Sequence, residues 1–223
     1  MKTKKKMIVV AAAIAVLAIA AIGGTMAYFS DTTETAENTF TMGKVEITLQ
    51  EHDVTVEDGA FVQGDMLDEG EGVTYHLVPG QTAPKDPTVT VLADSEDCYV
   101  RVQVKLSDYA TFQQIFAAHE DTTSTALDFF TVSDSWTADM DNAMIDDDGY
   151  GVVTFYYNEM VPSATIDTAL TPVFTAVTLP SIFTNADAAQ FPNGFTIEVF
   201  AEAIQAGTFA DADAAWAAFD AEA

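Results

Sequence analysis

Carboxylates are the side chains of this sequence whose type and spacing come closest to a chemical site. Clustered carboxylate oxygens before a glycine are suited to a hard cation such as calcium. An EF-hand loop counted from Asp139 would need an oxygen ligand at Ala143 and a glycine at Met144, so that motif is absent. The densest cluster, which Gly149 closes, therefore predicts either a solvated acidic loop or a calcium site, with candidate ligands Asp139, Asp141, Asp146 and Asp148.

Hydrolytic chemistry has weaker support. His52, His76 and His119 are far apart, and no HExxH motif sets two imidazoles on one helical face. No serine stands in a GxSxG elbow, and no glycine-rich phosphate loop occurs. Separate histidines could still converge in space, but the sequence predicts no catalytic residue and no cofactor other than calcium.

The first twenty-seven residues predict export. Four lysines precede an uncharged apolar run at residues 7–22, and small residues lead up to Ala27. This order is typical of a cleavable secretory signal peptide, with the cut between Ala27 and Tyr28. An uncleaved membrane anchor is the alternative, but the run is short, rich in alanine and followed by two glycines.

Charge restricts the partners of the secreted chain. The leader holds four of the 8 basic residues and none of the 35 acids, so its removal leaves a net charge of −31. Nucleic acid and anionic lipid are bound through lysine and arginine. We therefore expect no nucleic-acid partner, and contact with a membrane only through the leader before cleavage. Divalent cations and basic surfaces are better matched to this charge.

The rest of the sequence predicts a mainly β fold. Apolar and polar residues alternate in five segments that we expect to be strands: 45–49, 88–92, 98–106, 152–157 and 195–203. The single cysteine, Cys98, shares the apolar face of its segment, which predicts a buried and inert thiol. Such spacing favours an antiparallel β-sandwich.

Two helices and three linkers complete this prediction. Helical spacing of apolar residues predicts helices at 109–118 and 212–221. We expect Asp211 or Asp213 to cap the second helix, with Trp216 and Phe219 facing the core. Acidic composition, or glycine and proline, predicts linkers at 57–72, 133–148 and 180–192, of which the first two could be hairpin tips or mobile loops.

Three stretches resemble the TasA-like and camelysin-like family of exported proteins. The first comprises residues 23–31, GGTMAYFSD, and residues 38–45, NTFTMGKV. The second is LVPGQ at residues 77–81, followed by Lys85-Asp86 and the strand at 88–92. The third is AEAIQA at residues 201–206, together with Trp216.

The resemblance implies a jelly-roll-like antiparallel β-sandwich with short peripheral helices, which a Gram-positive bacterium secretes into its extracellular matrix or onto its surface. It also implies processing by a signal peptidase of the SipW type. TasA-like proteins assemble head to tail into biofilm-matrix fibres, in which the N-terminal segment of one subunit completes a sheet of the next. Three regions follow: a signal peptide at 1–27, a candidate donor strand at 28–43 and a single sandwich domain with a C-terminal helix at 44–223. The candidate assembly residues are Tyr28, Phe29 and Phe40.

Other functions stay open at this point. Camelysin-like relatives are classed as metallopeptidases, so a secreted peptidase is one alternative. A monomeric surface adhesin or fibre accessory, which binds calcium or other matrix or cell-wall components, is another. The N-terminal segment itself could dock on its own subunit instead of a neighbour.

Overall fold

The computed structural model describes residues 43–121 and 124–222, and this part of the chain is mainly β. Its strands form several antiparallel sheets, and three short helices accompany them. Gly43–Ala223 make up one compact unit. Among the described residues, no helix is both long and apolar enough to cross a membrane.

The strands and helices follow one another along the chain with mostly short connections. The strands are β1 Ile47–Gln50, β2 His52–Glu57, β3 Ala60–Met66, β4 Thr82–Pro84, β5 Thr88–Val91, β6 Cys98–Leu106, β7 Phe130–Val132, β8 Trp136–Ile145, β9 Gly151–Tyr157, β10 Thr168–Ala169, β11 Phe174–Thr178 and β12 Ile197–Gln205. The helices are α1 Tyr109–Ala118, a 3-10 turn Ala126–Phe129, α2 Asn185–Ala188 and α3 Ala212–Glu222.

Four antiparallel sheets result. The largest has the order β12-β6-β9-β8, two three-stranded sheets have the orders β1-β5-β10 and β4-β11-β7, and β2 pairs with β3 in a separate hairpin. All five predicted strands are confirmed within a few residues, and β6 and α1 have the predicted bounds. Strong alternation on β6 and helical spacing on α1 explain this accuracy, because both patterns match an element that is buried on one face.

One hydrophobic core joins the larger sheets. The alternate residues Val100, Val102, Val104 and Leu106 of β6 are at most 2% exposed, and they share the core with residues of β5, β9 and β11. Cys98 lies in the same row and is fully buried. Burial raises the pKa of its thiol to about 11, so the prediction of an inert cysteine is confirmed.

Aromatic rings close the core beneath α1. Phe112 meets the rings of Phe129, Phe191 and Phe195 with centroids 4.6 to 5.1 Å apart. Beyond the end of α1, His119 Nε2 lies 2.9 Å from a carboxylate oxygen of Asp187 in α2. Hydrogen bonds from Thr184 and from His119 lower the pKa of Asp187 to about 2, so this contact joins the two helices through a charged group.

Two of the predicted linkers are wrong in part, because they contain strands. Residues 57–72 include β3, and residues 133–148 include β8. Both strands expose most of their residues, so neither shows the apolar alternation that marks a half-buried strand. Backbone pairing with β2 and β9 holds them in place.

Arg101 fixes α3 on the face of the four-stranded sheet that lies opposite the core. Its guanidinium donates to Glu202 (Nε–Oε2 2.6 Å) and to both oxygens of Asp220 (2.6 and 3.1 Å). It also lies 4.4 Å from the ring centroid of Trp216. Burial opposes the charge, but the two carboxylates outweigh it and raise the pKa of Arg101.

This arrangement corrects the predicted orientation of the C-terminal helix. Trp216 is buried, but its neighbours are Arg101 and Tyr156, which point away from the core. The alternation of β6 predicts an exposed outer face, whereas Arg101 is only 5% exposed beneath the helix. The predicted cap is confirmed at the first of its two positions, since Ala214 N–H donates to Asp211 Oδ1 at 2.9 Å.

We predict that Arg101→Ala lowers the free energy of unfolding by about 2 kcal/mol, because it removes the charged hydrogen bonds to Glu202 and Asp220 and the surface on which Trp216 packs. Urea denaturation at neutral pH measures this. Lys44→Ala is the control, since the pair of Lys44 with Glu46 is exposed and should contribute little. An equal loss in both variants would contradict a special role for Arg101.

Candidate functional site

The candidate calcium ligands are spread along the β8–β9 hairpin. Asp139 lies in β8, and its carboxylate accepts hydrogen bonds from the backbone and side-chain amides of Asn142 (3.1 and 2.8 Å). Asp141 follows within the irregular stretch between Asp139 and Met144, where the pairing register shifts. The strand is therefore interrupted where the acidic residues begin.

Asp146 holds the tip of the same hairpin. Its carboxylate accepts the backbone N–H groups of Tyr150 (2.9 Å) and Asp148 (3.1 Å) and contacts Lys105 Nζ at 3.1 Å. The hydrogen bond from Tyr150 is the main cause that lowers the pKa of Asp146, with Lys105 as a further one. The structure thus assigns Asp146 a role in the turn, while the calcium site with Asp139, Asp141 and Asp148 stays a prediction.

A buried polar network lies where the hairpin β2–β3 meets the rest of the protein. Lys85 Nζ pairs with Glu51 Oε2, and both side chains are at most 10% exposed. The residues that follow Glu51 and Lys85 also pair with each other, since His52 Nδ1 lies 2.7 Å from Asp86 Oδ2. Glu51, just before β2, and His52, the first residue of β2, therefore engage two adjacent residues between β4 and β5.

Asp86 holds both strands of the hairpin. Its Oδ1 accepts the backbone N–H of His52 at 3.0 Å, and its Oδ2 accepts Gln63 Nε2 of β3 at 2.6 Å. Tyr75 lies nearby with its hydroxyl donating to the carbonyl of Pro84 at 3.3 Å. Burial, with Glu51 and Asp86 close by, raises the pKa of Tyr75, which keeps the hydroxyl a hydrogen-bond donor.

This network anchors a hairpin that has little core of its own. The ribbon exposes nearly all of β3 and much of β2, including Val56 at 64%. An isolated two-stranded hairpin is marginal in water, so fixed contacts to the body decide whether it stays formed. Sequence reasoning missed the network, although the oppositely charged neighbours Lys85 and Asp86 belong to a stretch that it singled out.

The free edges of the four-stranded sheet are among the surfaces that could accept another strand. Backbone hydrogen bonds from Ser107 to Thr196 and from Ala206 to Asp97, at the two ends of the β6–β12 ladder, show which residues of β12 bond to β6. Bonded pairs alternate in an antiparallel ladder, so every second residue of β12 directs its N–H and C=O to the open edge. These residues are Ile197, Val199, Ala201, Ala203 and Gln205.

The opposite edge, β8, is a poorer template for pairing. Its register is broken between Asp139 and Met144, and acidic residues stand in the break. Charges and bulges on an edge strand prevent another chain from pairing with it. By contrast, β12 pairs with β6 through nine consecutive residues without a bulge, although it too carries acids, Glu198 and Glu202.

The predicted cleavage and assembly residues lie outside the described residues. These are Ala27, Tyr28, Phe29 and Phe40. The described part begins at Gly43, shortly before β1. Cleavage and assembly at these positions stay predictions.

We predict that Asp86→Ala speeds amide exchange in β2 and β3 at least tenfold, because it removes the hydrogen bonds that one partly buried carboxylate accepts from both strands. Exchange in β6 and β9 should stay unchanged. Hydrogen–deuterium exchange read by mass spectrometry gives both values. Asp65→Ala, at an exposed position in β3, is the matched control and should leave the hairpin protected; similar exchange in wild type and Asp86→Ala would show that Asp86 is not the anchor.

Comparison with known proteins gives a family match for the start of the chain. Residues 1–69 match the family model described as camelysin metallo-endopeptidase, in the family that includes TasA. No curated protein and no solved structure matches the chain. Proteins of this family are secreted or associated with the cell surface.

The description of the family implies a metal ion, and the described residues do not fit one. Within residues 43–121 and 124–222, no group of three or more His, Cys, Asp or Glu side chains could hold a metal. His52 and His119 are in separate places, and each has a ring nitrogen paired with an aspartate. No hydrolytic step can therefore be derived from the described geometry.

Proposed function

We propose that this chain is a secreted structural subunit of extracellular biofilm-matrix fibres, because its residues 1–69 match the model of the camelysin family, which includes TasA. Subunits assemble head to tail when the N-terminal segment of one completes a sheet of the next. The body that accepts this segment is a jelly-roll-like β-sandwich. The site of deposition is the matrix or surface of a Gram-positive bacterium.

The extent of the family match is the observation that carries this proposal. Residues 1–69 contain the predicted leader, the predicted donor strand and the first strands of the body. An antiparallel β-protein with a regular free edge has the complementary part, since an extended segment can add its backbone hydrogen bonds to such an edge. A donor and an acceptor on different surfaces give an open, head-to-tail contact, which propagates a filament.

Processing would then control assembly as well as export. A signal peptidase of the SipW type cuts between Ala27 and Tyr28 and frees the segment that begins with Tyr28 and Phe29. Before this cut the leader holds the chain at the membrane. Release of a new N-terminus therefore comes before any contact between subunits.

Charge explains how the free subunits stay apart. From residue 43 onward the chain has only four basic residues, and each pairs with an acid of its own chain: Lys44 with Glu46, Lys85 with Glu51, Arg101 with Glu202 and Asp220, and Lys105 with Asp146. The acids that remain repel a second copy over about one Debye length. Assembly therefore needs a directional contact, and backbone pairing at a free edge supplies one.

We predict that deletion of residues 28–40 leaves a folded protein that forms no filaments, because the donor strand is lost while the described body is intact. Negative-stain electron microscopy of the purified secreted chain measures filament formation, and circular dichroism measures folding. A chain of equal length with residues 28–40 in scrambled order is the control and should also fail to polymerise. Filaments of equal number from the deleted and native chains would refute the donor mechanism.

The description of the family supports the alternative that this protein is a peptidase. The metal content of the pure protein distinguishes a peptidase from a fibre subunit. A zinc peptidase binds about one zinc per chain, and a chelator abolishes its cleavage of peptides. For the fibre subunit we expect neither stoichiometric zinc nor chelator-sensitive cleavage in metal analysis and peptide digestion of the pure secreted chain. An accessory protein would instead stay monomeric alone and bind preformed fibres or cell wall.

A further inference from the structure

Lys85 and Glu51 bring an amine and a carboxyl group into contact in a buried place. Lys85 Nζ touches Glu51 Oε2, and the two side chains are 8% and 10% exposed. In every other ion pair of the described part of the chain, at least one side chain is 29% exposed or more. Two groups that can condense with each other are therefore held where little water reaches them.

As an ion pair, this contact leaves the ammonium of Lys85 poorly satisfied. A lysine ammonium has three N–H donors, and a buried charge is unfavourable unless its donors are paired. Among the residues that the structure describes, Glu51 is the only acceptor for Lys85 Nζ. Arg101 is buried to a similar extent, but it donates to two carboxylates and lies over two aromatic rings. The surroundings of Lys85 thus suit an uncharged group with a single donor better than a cation.

The backbone around the two side chains is fixed. The N–H of Lys85 donates to the carbonyl of Thr175 in β11 at 3.3 Å. Asp86, the next residue, accepts the backbone N–H of His52, which follows Glu51, at 3.0 Å. Groups that are held in contact react as if their concentration were about 10⁵ M or more. The fold therefore supplies the proximity that a condensation needs.

We propose that Lys85 and Glu51 are joined by an isopeptide bond, an amide between two side chains, which the folded chain forms by itself. In this reaction a bond forms between Lys85 Nζ and Glu51 Cδ. The bond between Cδ and one carboxyl oxygen breaks, and that oxygen leaves as water. The proposal goes beyond the fibre function and does not depend on it, because the bond concerns one subunit only.

The atoms of the ion pair are sufficient for this reaction. One proton passes from the ammonium to the carboxylate, which gives a neutral amine and a carboxylic acid. The amine nitrogen then attacks Cδ and loses a second proton, and the departing water carries both protons. No oxidant, reductant or further reactant takes part. The product has no charge and one N–H donor, which removes the cost of keeping two ions away from water.

The bond closes a loop around the exposed β2–β3 hairpin. Its two ends are 34 positions apart, and the segment between them contains β2, β3 and β4. A covalent link restricts the chain even when the hydrogen bonds of the loop open. The base of the hairpin therefore stays attached to the body during any local opening of its strands.

The intact mass of the full secreted chain, measured by mass spectrometry under denaturing conditions, tests the bond. We expect a mass that is lower by one water molecule than the sequence from its measured N-terminus requires. Lys85→Arg keeps a cation but has no nucleophilic amine, so this variant should have the full mass. Lys105→Arg is the matched control, since Lys105 belongs to a more exposed pair, and it should retain the loss of water. The full mass in the folded wild-type chain would overturn the proposal.

Peptide mapping locates the loss of water. Chymotrypsin cuts after aromatic residues, and Phe61 and Tyr75 lie between the two ends of the proposed bond. We expect a branched peptide in which the segment with Lys85 is attached to the segment with Glu51, as tandem mass spectrometry can show. If these segments occur separately and unmodified, the proposal is wrong, even where the variant Lys85→Arg does not fold.

A treatment with mild alkali excludes another source of the same mass change. An aspartate before a glycine can lose water by closing to a succinimide, and the chain has such pairs at 58–59 and 148–149. Mild alkali hydrolyses a succinimide and leaves an amide intact. The loss of water should therefore persist after this treatment, and its disappearance would refute the isopeptide bond.

Discussion

The burial of the core face of β6, with that of Arg101 on its other face, is the constraint on which the rest of the structure depends. One face supplies the central row of the core, and the other is covered by α3 through Arg101. A charged residue can occupy a buried position only when carboxylates surround it, and Glu202 and Asp220 provide them. The four-stranded sheet is therefore a middle layer, with the core on one side and a helix held by ionic contacts on the other.

The sequence predicts those parts of the fold in which a single pattern determines the element. The alternation of β6 and the helical spacing of α1 give correct bounds because each element buries one regular row of side chains. Strands β3 and β8 could not be predicted in this way, since backbone pairing holds them and most of their side chains are in water. The burial of Arg101 depends on a helix more than a hundred residues away, which no local pattern contains.

The candidate site, like the fold, could be predicted from the sequence only in part. Carboxylate density near residue 146 is visible in the sequence, but only the structure shows that Asp146 is engaged by the turn and by Lys105. The partial exposure of β12 is less visible still, because Ala201 and Ala203 look like ordinary core residues in a strand. Their partial exposure results from the place of β12 at the end of its sheet, and topology alone decides that place.

The position of the buried pairs around Lys85 and Asp86 has a mechanical consequence. Tension applied to the N-terminal segment enters the body at Gly43 and passes along β1, which is only four residues long. Immediately after β1, Glu51 and His52 are bound to Lys85 and Asp86, in the stretch that leads into β5. A load on the N-terminal end of the body thus meets the Lys85–Glu51 ion pair and the His52–Asp86 hydrogen bond before it reaches the rest of the β2–β3 hairpin.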